Sequence, residues 1–342
     1  MRILIEITHP AHVHFFRNAI AEFQKRGHRV AVTAREKDVT IQLLNNFGIP
    51  FTTLSKKGRS KFALVGEMIA RDVRLWHFCR KFKPDVLTGI SGVFAAHVGW
   101  FLRKPVVVWD DTEVASMAHK ITYPFVTAVY SPDCYLKSFG KKHHLYPSCH
   151  ELAYLHPDRF TADAEIVKRL GIDPREKYCI IRFVSWQAYH DIGQHGFADE
   201  EKLNFVKEIA KHAKPYITSE DLLPKELEAY RLNIPAHLIH HIMAFAALYV
   251  GEGATMATES AVLGIPAVYI NTLEAGTINM FEEYGLIKQT ADTQHALKYC
   301  LKWLADPEAK EKCRVAREKL LADKIDVTYY IVDTIEQAAK KR

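Results

Sequence analysis

The stretch Gly251-Glu252-Gly253-Ala254-Thr255-Met256-Ala257-Thr258-Glu259-Ser260-Ala261-Val262-Leu263-Gly264-Ile265-Pro266-Ala267-Val268 decides the reading of this chain. The apolar run Ala247 to Val250 before it predicts a strand, and the glycines a turn. Met256 to Leu263 then predicts a helix, Gly264 its stop and Pro266 to Ile270 a second strand. Strand, helix and returning strand in so short a run make a βαβ unit, which calls for a parallel sheet covered by helices.

Working outward, the same alternation recurs. Upstream lie strand-like Tyr178 to Phe183 and Pro215 to Thr218, separated by a helical stretch Glu200 to Lys211. At the start of the chain come Ile3 to Ile7, a helix Val13 to Arg26, Arg29 to Thr33 and a helix Val39 to Phe47. Further strands are Asp85 to Thr88, Pro105 to Trp109 and Phe125 to Tyr130. Between Pro132 and Asp173 the pattern loosens, which marks a connection. The expectation is an α/β protein of two Rossmann-like parallel-sheet domains facing across a cleft. Their bounds are 1–155 and 156–325, with a last helix, 326–342, that can return to the first domain.

Composition sets limits. At 342 residues the chain suits two domains, and 48% hydrophobic with 25% charged residues is ordinary for a globular protein. The six cysteines form no CxxC pair, so neither a zinc knuckle nor a disulfide framework is indicated. A net charge of +6 is too mild to imply nucleic acid but suits an anionic ligand or membrane surface. The first residues run straight into a strand without the features of a signal peptide, so a cytoplasmic location is expected. No stretch reaches about 18 uninterrupted apolar residues.

Ligands of open parallel sheets gather at the carboxyl ends of strands, so the residues that follow strands are the candidates. After the first strand comes Thr8-His9-Pro10-Ala11-His12-Val13-His14. A histidine there can take a proton from an acceptor hydroxyl, and we single out His12, with packing or capping as the alternative, favoured for His9 and His14. Asp110, Asp111 and Glu113 follow the strand ending at Trp109. They could serve as acid and base, hydrogen-bond substrate hydroxyls, bind a cation, or simply cap a helix; their spacing matches no metal cage.

In the second half, the turn Gly251, Gly253, Ala254, Thr255, Met256 places backbone N–H groups at a helix N-terminus, where phosphates are stabilised. Glu259 lies four residues after Thr255, on the same face, where a carboxylate can accept from ribose hydroxyls or act only as a helix-dipole glutamate. Arg182 and Ser185, in Arg182-Phe183-Val184-Ser185-Trp186-Gln187-Ala188-Tyr189-His190-Asp191, could hold a diphosphate, or the loop could be ordinary packing around Trp186 and Tyr189. His143, His144, Cys149 and His150 read as solvated connection rather than a metal tract. Lys56 to Lys61 lead into a helix whose positions Phe62, Val65, Ile69, Val73, Trp76 and Cys79 form the face expected against the sheet, with Arg71, Arg74, Arg80, Lys81 and Lys83 elsewhere. An interfacial patch for anionic lipid is the second reading.

Together these residues resemble the GT-B glycosyltransferases. More closely they resemble the family catalogued as domain of unknown function 354, through "ITHPAHVHFF…KRGHRVAVTARE", "SWQAYHDIGQHG" and "GEGATMATESAVLGIPAVYIN" over nearly the whole chain. Among characterised relatives the resemblance is to the transferase that adds N-acetylglucosamine to a lipid-linked peptidoglycan precursor, and next to non-hydrolysing UDP-N-acetylglucosamine 2-epimerases. It implies His12 near the reacting sugar and Glu259 on the ribose. Two departures are Pro10-Ala11 in place of glycines, and Glu252 where a glycine is common, which would bring negative charge toward a diphosphate. The expected activity is metal-independent sugar transfer without a cofactor. The donor expected from the resemblance is a nucleotide sugar, UDP-linked, and the acceptor a glycan or lipid-linked molecule, with peripheral contact at the inner membrane face as an allied expectation. An epimerase or hydrolase on the same donor is the alternative, and a non-catalytic nucleotide-sugar-binding partner in polysaccharide assembly a third reading.

Overall fold

The computed structural model describes residues 1–56, 61–184, 197, 199–220 and 222–340, with the side chains of 56, 61–65 and 199 left aside. The chain divides into two compact units, one of Met1–Tyr154 with the segment from Ile325 onward, the other of Leu155–Lys324.

The first unit holds a seven-stranded sheet: β1 (Arg2–Ile7), β2 (Arg29–Glu36), β3 (Thr52–Lys56), β4 (Val86–Ile90), β5 (Val106–Trp109), β6 (Ala128–Pro132) and β7 (His143–Tyr146). All pairings are parallel and the order is β3-β2-β1-β4-β5-β6-β7. The central strands are apolar on both faces, as helices on both sides demand: Ile3, Leu4, Ile5 and Ile7 are sealed from solvent, and so are Val106, Val107 and Val108. Strand order reverses between β1 and β4, so the chain leaves these two strands in opposite directions and opens a crevice at their carboxyl ends. The helix Val327–Lys340 belongs to this unit, where Arg26 meets Asp333 at 3.0 Å and His28 meets Glu336 at 2.8 Å.

The second unit has five parallel strands, β8 (Tyr178–Phe183), β9 (Lys214–Ser219), β10 (Leu248–Gly251), β11 (Ala267–Ile270) and β12 (Ile287–Thr290), in the order β12-β11-β10-β8-β9. Its reversal lies between β10 and β8, at the turn Gly251 to Gly253.

Three strands were not expected from the sequence, β3, β7 and β12, and each is the edge of its sheet. An edge strand is half-covered and needs no continuous apolar run, so Thr52-Thr53-Leu54-Ser55-Lys56 and Ile287-Lys288-Gln289-Thr290 lack the signature of the buried strands. The reading of His143, His144, Cys149 and His150 as solvated connection is corrected. The first two lie on β7, and Cys149 and His150 are buried in and beside the 3-10 turn His150–Ala153.

The helix Lys61–Phe82 also presents a different face from the one expected. Ile69 and Val73 are 64% and 49% exposed, whereas Arg71 is wholly buried. The cause is Glu6 on β1, buried beneath the helix. Its Oε1 accepts from Arg71 Nη2 at 3.1 Å and its Oε2 from the Ala95 N–H at 2.9 Å. A sealed carboxylate without these donors would cost several kcal/mol, on the order of the penalty for an uncompensated buried charge. That cost turns the helix so that its arginine faces inward, over the Phe94 ring. Phe62 and Val65, of the same expected face, lie outside the described side chains.

Candidate active site

In the first unit the turn after β1 enters the helix Pro10–Lys25. His9 is its N-cap, with Nδ1 accepting from the Ala11 N–H at 3.3 Å, and Pro10 fills the first helical position, where no N–H is needed. His14 is buried between Phe47 and Tyr154, with ring centroids at 5.7 and 5.3 Å. Both therefore have local structural roles. His12, on the first helical turn, is 8% exposed and its Nδ1 accepts from the Thr8 N–H at 3.4 Å. Burial and the neighbouring His9 hold its pKa well below the usual histidine value, against the opposing pull of Asp111.

The three carboxylates after β5 are separated by the structure into different environments. Asp110 is sealed. It accepts from Tyr123 Oη at 2.6 Å and the Thr112 N–H at 2.8 Å, with His119 Nε2 at 3.2 Å and Tyr135 Oη at 3.5 Å. Glu113 is buried too, and its Oε1 accepts from the Leu136 N–H at 3.3 Å. These hydrogen bonds hold the segment after β5 against residues 119–137. Asp111 alone is partly open, its side chain 30% exposed, with Oδ2 at 3.0 Å from His150 Nδ1 and Oδ1 accepting from Thr112 Oγ1 at 3.1 Å. Burial would raise its pKa, but the His150 imidazole outweighs that and holds it at about 2. Burial would likewise lower His150, and Asp111 wins there, leaving it raised. The structure thus brings His12, Asp111 and His150 together as the candidate site of this unit. Sequence reasoning missed His150 because its partner, Asp111, follows a different strand far back in the chain.

In the second unit, the helix Ala254–Val262 follows Gly253, with no side-chain cap at its N-terminus. The first N–H groups of a helix have no intrahelical acceptor, and those of Ala254, Thr255 and Met256 stand in that position. A Cβ at Gly251 would stand 2.6 Å from the Arg182 carbonyl oxygen, so this glycine is demanded by the close approach of β10 to β8. Gly264, at φ +78°, ends the helix in the left-handed conformation. Glu259 is buried one turn inside, with Oε1 at 2.9 Å from His240 Nε2. Arg182 donates from Nη2 to Glu220 Oε1 at 2.6 Å. Ser185, and the segment from 185 to 196 with it, lies outside the described residues.

Glu252 does not aim its charge at the helix N-terminus. It is buried, its Oε2 accepting from the Val184 N–H at 3.0 Å and its Oε1 from the Phe197 N–H at 3.1 Å. Two backbone donors that follow β8 thus absorb the carboxylate that stands where a glycine is common. Among the described residues no group of three or more His, Cys, Asp or Glu side chains is placed to hold a metal ion.

The two-sheet architecture is that of the GT-B enzymes. The structure resembles UDP-GlcNAc 2-epimerase from Neisseria meningitidis bound to UDP-GlcNAc, with a TM-score of 0.73 and 15% identity over 98% of this chain and 100% of that one. It also resembles the spinosyn rhamnosyltransferase SpnG complexed with spinosyn aglycone, with a TM-score of 0.65 and 13% identity over 98% and 100% of the two chains. In sequence it is 26% identical over 285 residues, 78% of this chain and 80% of the other, to an uncharacterized protein of Methanocaldococcus jannaschii. The family described as Protein of unknown function (DUF354) matches residues 1–340, and the chain belongs to that family.

Proposed function

We propose that this chain is a glycosyltransferase that moves a sugar from a UDP-type nucleotide donor to a hydroxyl of a glycan or lipid-linked acceptor. The observation that carries the reading is the uncapped helix N-terminus after Gly253 at the strand-order reversal, with the buried carboxylate of Glu259 one turn inside. The first three N–H groups of that helix and its dipole suit a diphosphate, and Glu259 suits the ribose. The likeness to a solved epimerase bound to UDP-GlcNAc supports a nucleotide sugar as the ligand. The diphosphate leaves with its charge stabilised by these donors, without need of a metal ion, from an oxocarbenium-like transition state. In the first unit His12, with Asp111 and His150 beside it, is the candidate group for a sugar substrate.

UDP titration tests the reading. Glu259→Ala should weaken binding by about 1.5 to 3 kcal/mol, the worth of hydrogen bonds to a charged group. Unchanged affinity in a folded variant refutes the assignment.

A 2-epimerase is the second reading, favoured by the structural likeness just described. It needs two groups on opposite faces of the sugar to remove and return a C2 proton. Asp110, held by Tyr123 and the Thr112 N–H, and Glu113, buried and held by the Leu136 N–H, are poor partners for such a task, which supports the transferase. Incubation with UDP-GlcNAc in heavy water without acceptor should give neither deuterium at C2 nor an epimer.

A lipid-linked acceptor would suit peripheral membrane contact. The outer face of the helix Lys61–Phe82 exposes Ile69 and Val73, and the helix Val93–Phe101 exposes Trp100 and Phe101. Arg80 lies over the Trp76 ring, itself 6.3 Å from Phe101. No described helix is long and apolar enough to cross a membrane.

A further inference from the structure

The proton polarity of His12 follows from its neighbours. The Thr8 N–H is a peptide donor and can do nothing but donate, and it points at His12 Nδ1 from 3.4 Å. The Thr8 hydroxyl stands at the same distance from the same nitrogen and can rotate to donate as well. A neutral imidazole has one N–H and one lone pair. With the lone pair of Nδ1 committed to Thr8, the hydrogen sits on Nε2.

Nothing in the described structure consumes that Nε2–H. The hydrogen bonds of His12 are those at Nδ1, and Nε2 is absent from the sealed side-chain atoms that lack a partner. The carboxylate that acts on the ring, Asp111, is engaged by His150 Nδ1 and Thr112 Oγ1. The other charged or titratable groups facing the ring are His9, with its centroid 5.9 Å away, His150 and Lys37, none of which favours a second proton on it.

We propose that His12 presents a proton to substrate rather than a lone pair: its Nε2–H donates to an oxygen of a sugar substrate that enters the first unit's crevice. The ligand named here rests on the nucleotide-sugar reading; the polarity of the imidazole does not. In the transfer, the acceptor oxygen bonds to the anomeric carbon as that carbon's bond to the diphosphate oxygen breaks. The electron pair leaves with the diphosphate, and the hydroxyl proton passes to the departing phosphate oxygen. His12 keeps its own proton and acts as a fixed hydrogen-bond donor, so it is not the general base that its place after β1 invites one to assume.

The polarity can be read on the free, full-length protein. Long-range proton–nitrogen correlation on 15N-histidine-labelled protein near neutral pH should give His12 a protonated Nε2 and a bare Nδ1, with the resonance assigned by its loss in His12→Gln. Should that variant not fold, Thr8→Val assigns the residue instead. It removes the hydroxyl and keeps the peptide N–H, so the signal should shift without changing tautomer. A proton on Nδ1, or an imidazolium, would overturn the proposal. Adding UDP-GlcNAc should then move the Nε2 resonance. Binding seen elsewhere in the spectrum with Nε2 unmoved would overturn the contact while sparing the nucleotide-sugar reading. No binding at all would remove that reading and the named ligand, and the tautomer would still stand or fall on the free-protein spectrum.

Discussion

His240 Nε2 lies 2.9 Å from Glu259 Oε1, and the two side chains are only 2% and 6% exposed. His240 is on the short helix Ile239–Met243 that precedes β10, whereas Glu259 is on the helix that follows it. The strand's two flanking helices are thus joined at the carboxylate proposed to hold the ribose.

From this pair follows the first prediction. Replacing His240 by Phe removes the polar neighbour of a buried carboxylate, which should weaken UDP binding by about tenfold and lower stability by about 1 to 3 kcal/mol. His240→Gln, which keeps a polar group beside Glu259, should recover most of the affinity. Titration of UDP into both variants, with denaturant unfolding alongside, separates a positioning role from a purely structural one. Equal UDP affinity in His240→Phe and the parent protein would count against any role at the nucleotide.

The second prediction concerns pH. Asp111 is held at about 2, below the ordinary 3.8, so its share of stability is present above about pH 4 and is lost as pH falls through 2. His150 is raised above the ordinary 6.5, so its share is complete below that value and is lost as pH rises through the raised one. His12, lowered, works the other way: the unfolded chain takes a proton below 6.5 that the folded protein refuses. That term is largely shared by parent and variant. The stability gap between the protein and His150→Gln should therefore be widest near pH 5 and narrower at about pH 9. Unfolding midpoints at the two values check this; an equal gap would show that the ion pair contributes nothing.

Divalent ions supply the third. With the diphosphate held by helix N–H groups, chelator-treated protein should retain most of its UDP affinity and of any transfer activity. A loss restored only by magnesium or manganese would assign metal-binding work to Asp111, the one open carboxylate of its cluster, and change the mechanism.

A fourth prediction tests the membrane contact. The protein should sediment with phosphatidylglycerol vesicles more than with neutral ones, and less as salt rises. Trp100→Ser with Phe101→Ser should reduce the bound fraction about tenfold or more, since each exposed aromatic ring contributes on the order of 1 to 3 kcal/mol when buried. Binding indifferent to both the charge of the lipid and these substitutions would leave the exposed rings without a lipid partner.

What the sequence by itself determined is local. The βαβ reading of residues 247–270 needed only the apolar runs, the glycine turn and the stop at Gly264, because a helix and a buried strand carry their own periodicity. For the same reason the carboxyl ends of β1, β5, β8 and β10 could be named as places where ligands gather. What tertiary structure decided is the state of the charges there. Glu252 reads as a negative charge beside a phosphate site until Val184 and Phe197 bring their N–H groups to it across 68 and 55 positions of chain. Arg71 reads as a surface residue of an amphipathic helix until Glu6, 65 positions away, draws it inside. His150 reads as linker until β7 adds a seventh strand and sets it against Asp111. A charged side chain is stabilised or penalised by its partners and by the solvent it has lost, and both are fixed only when distant segments pack.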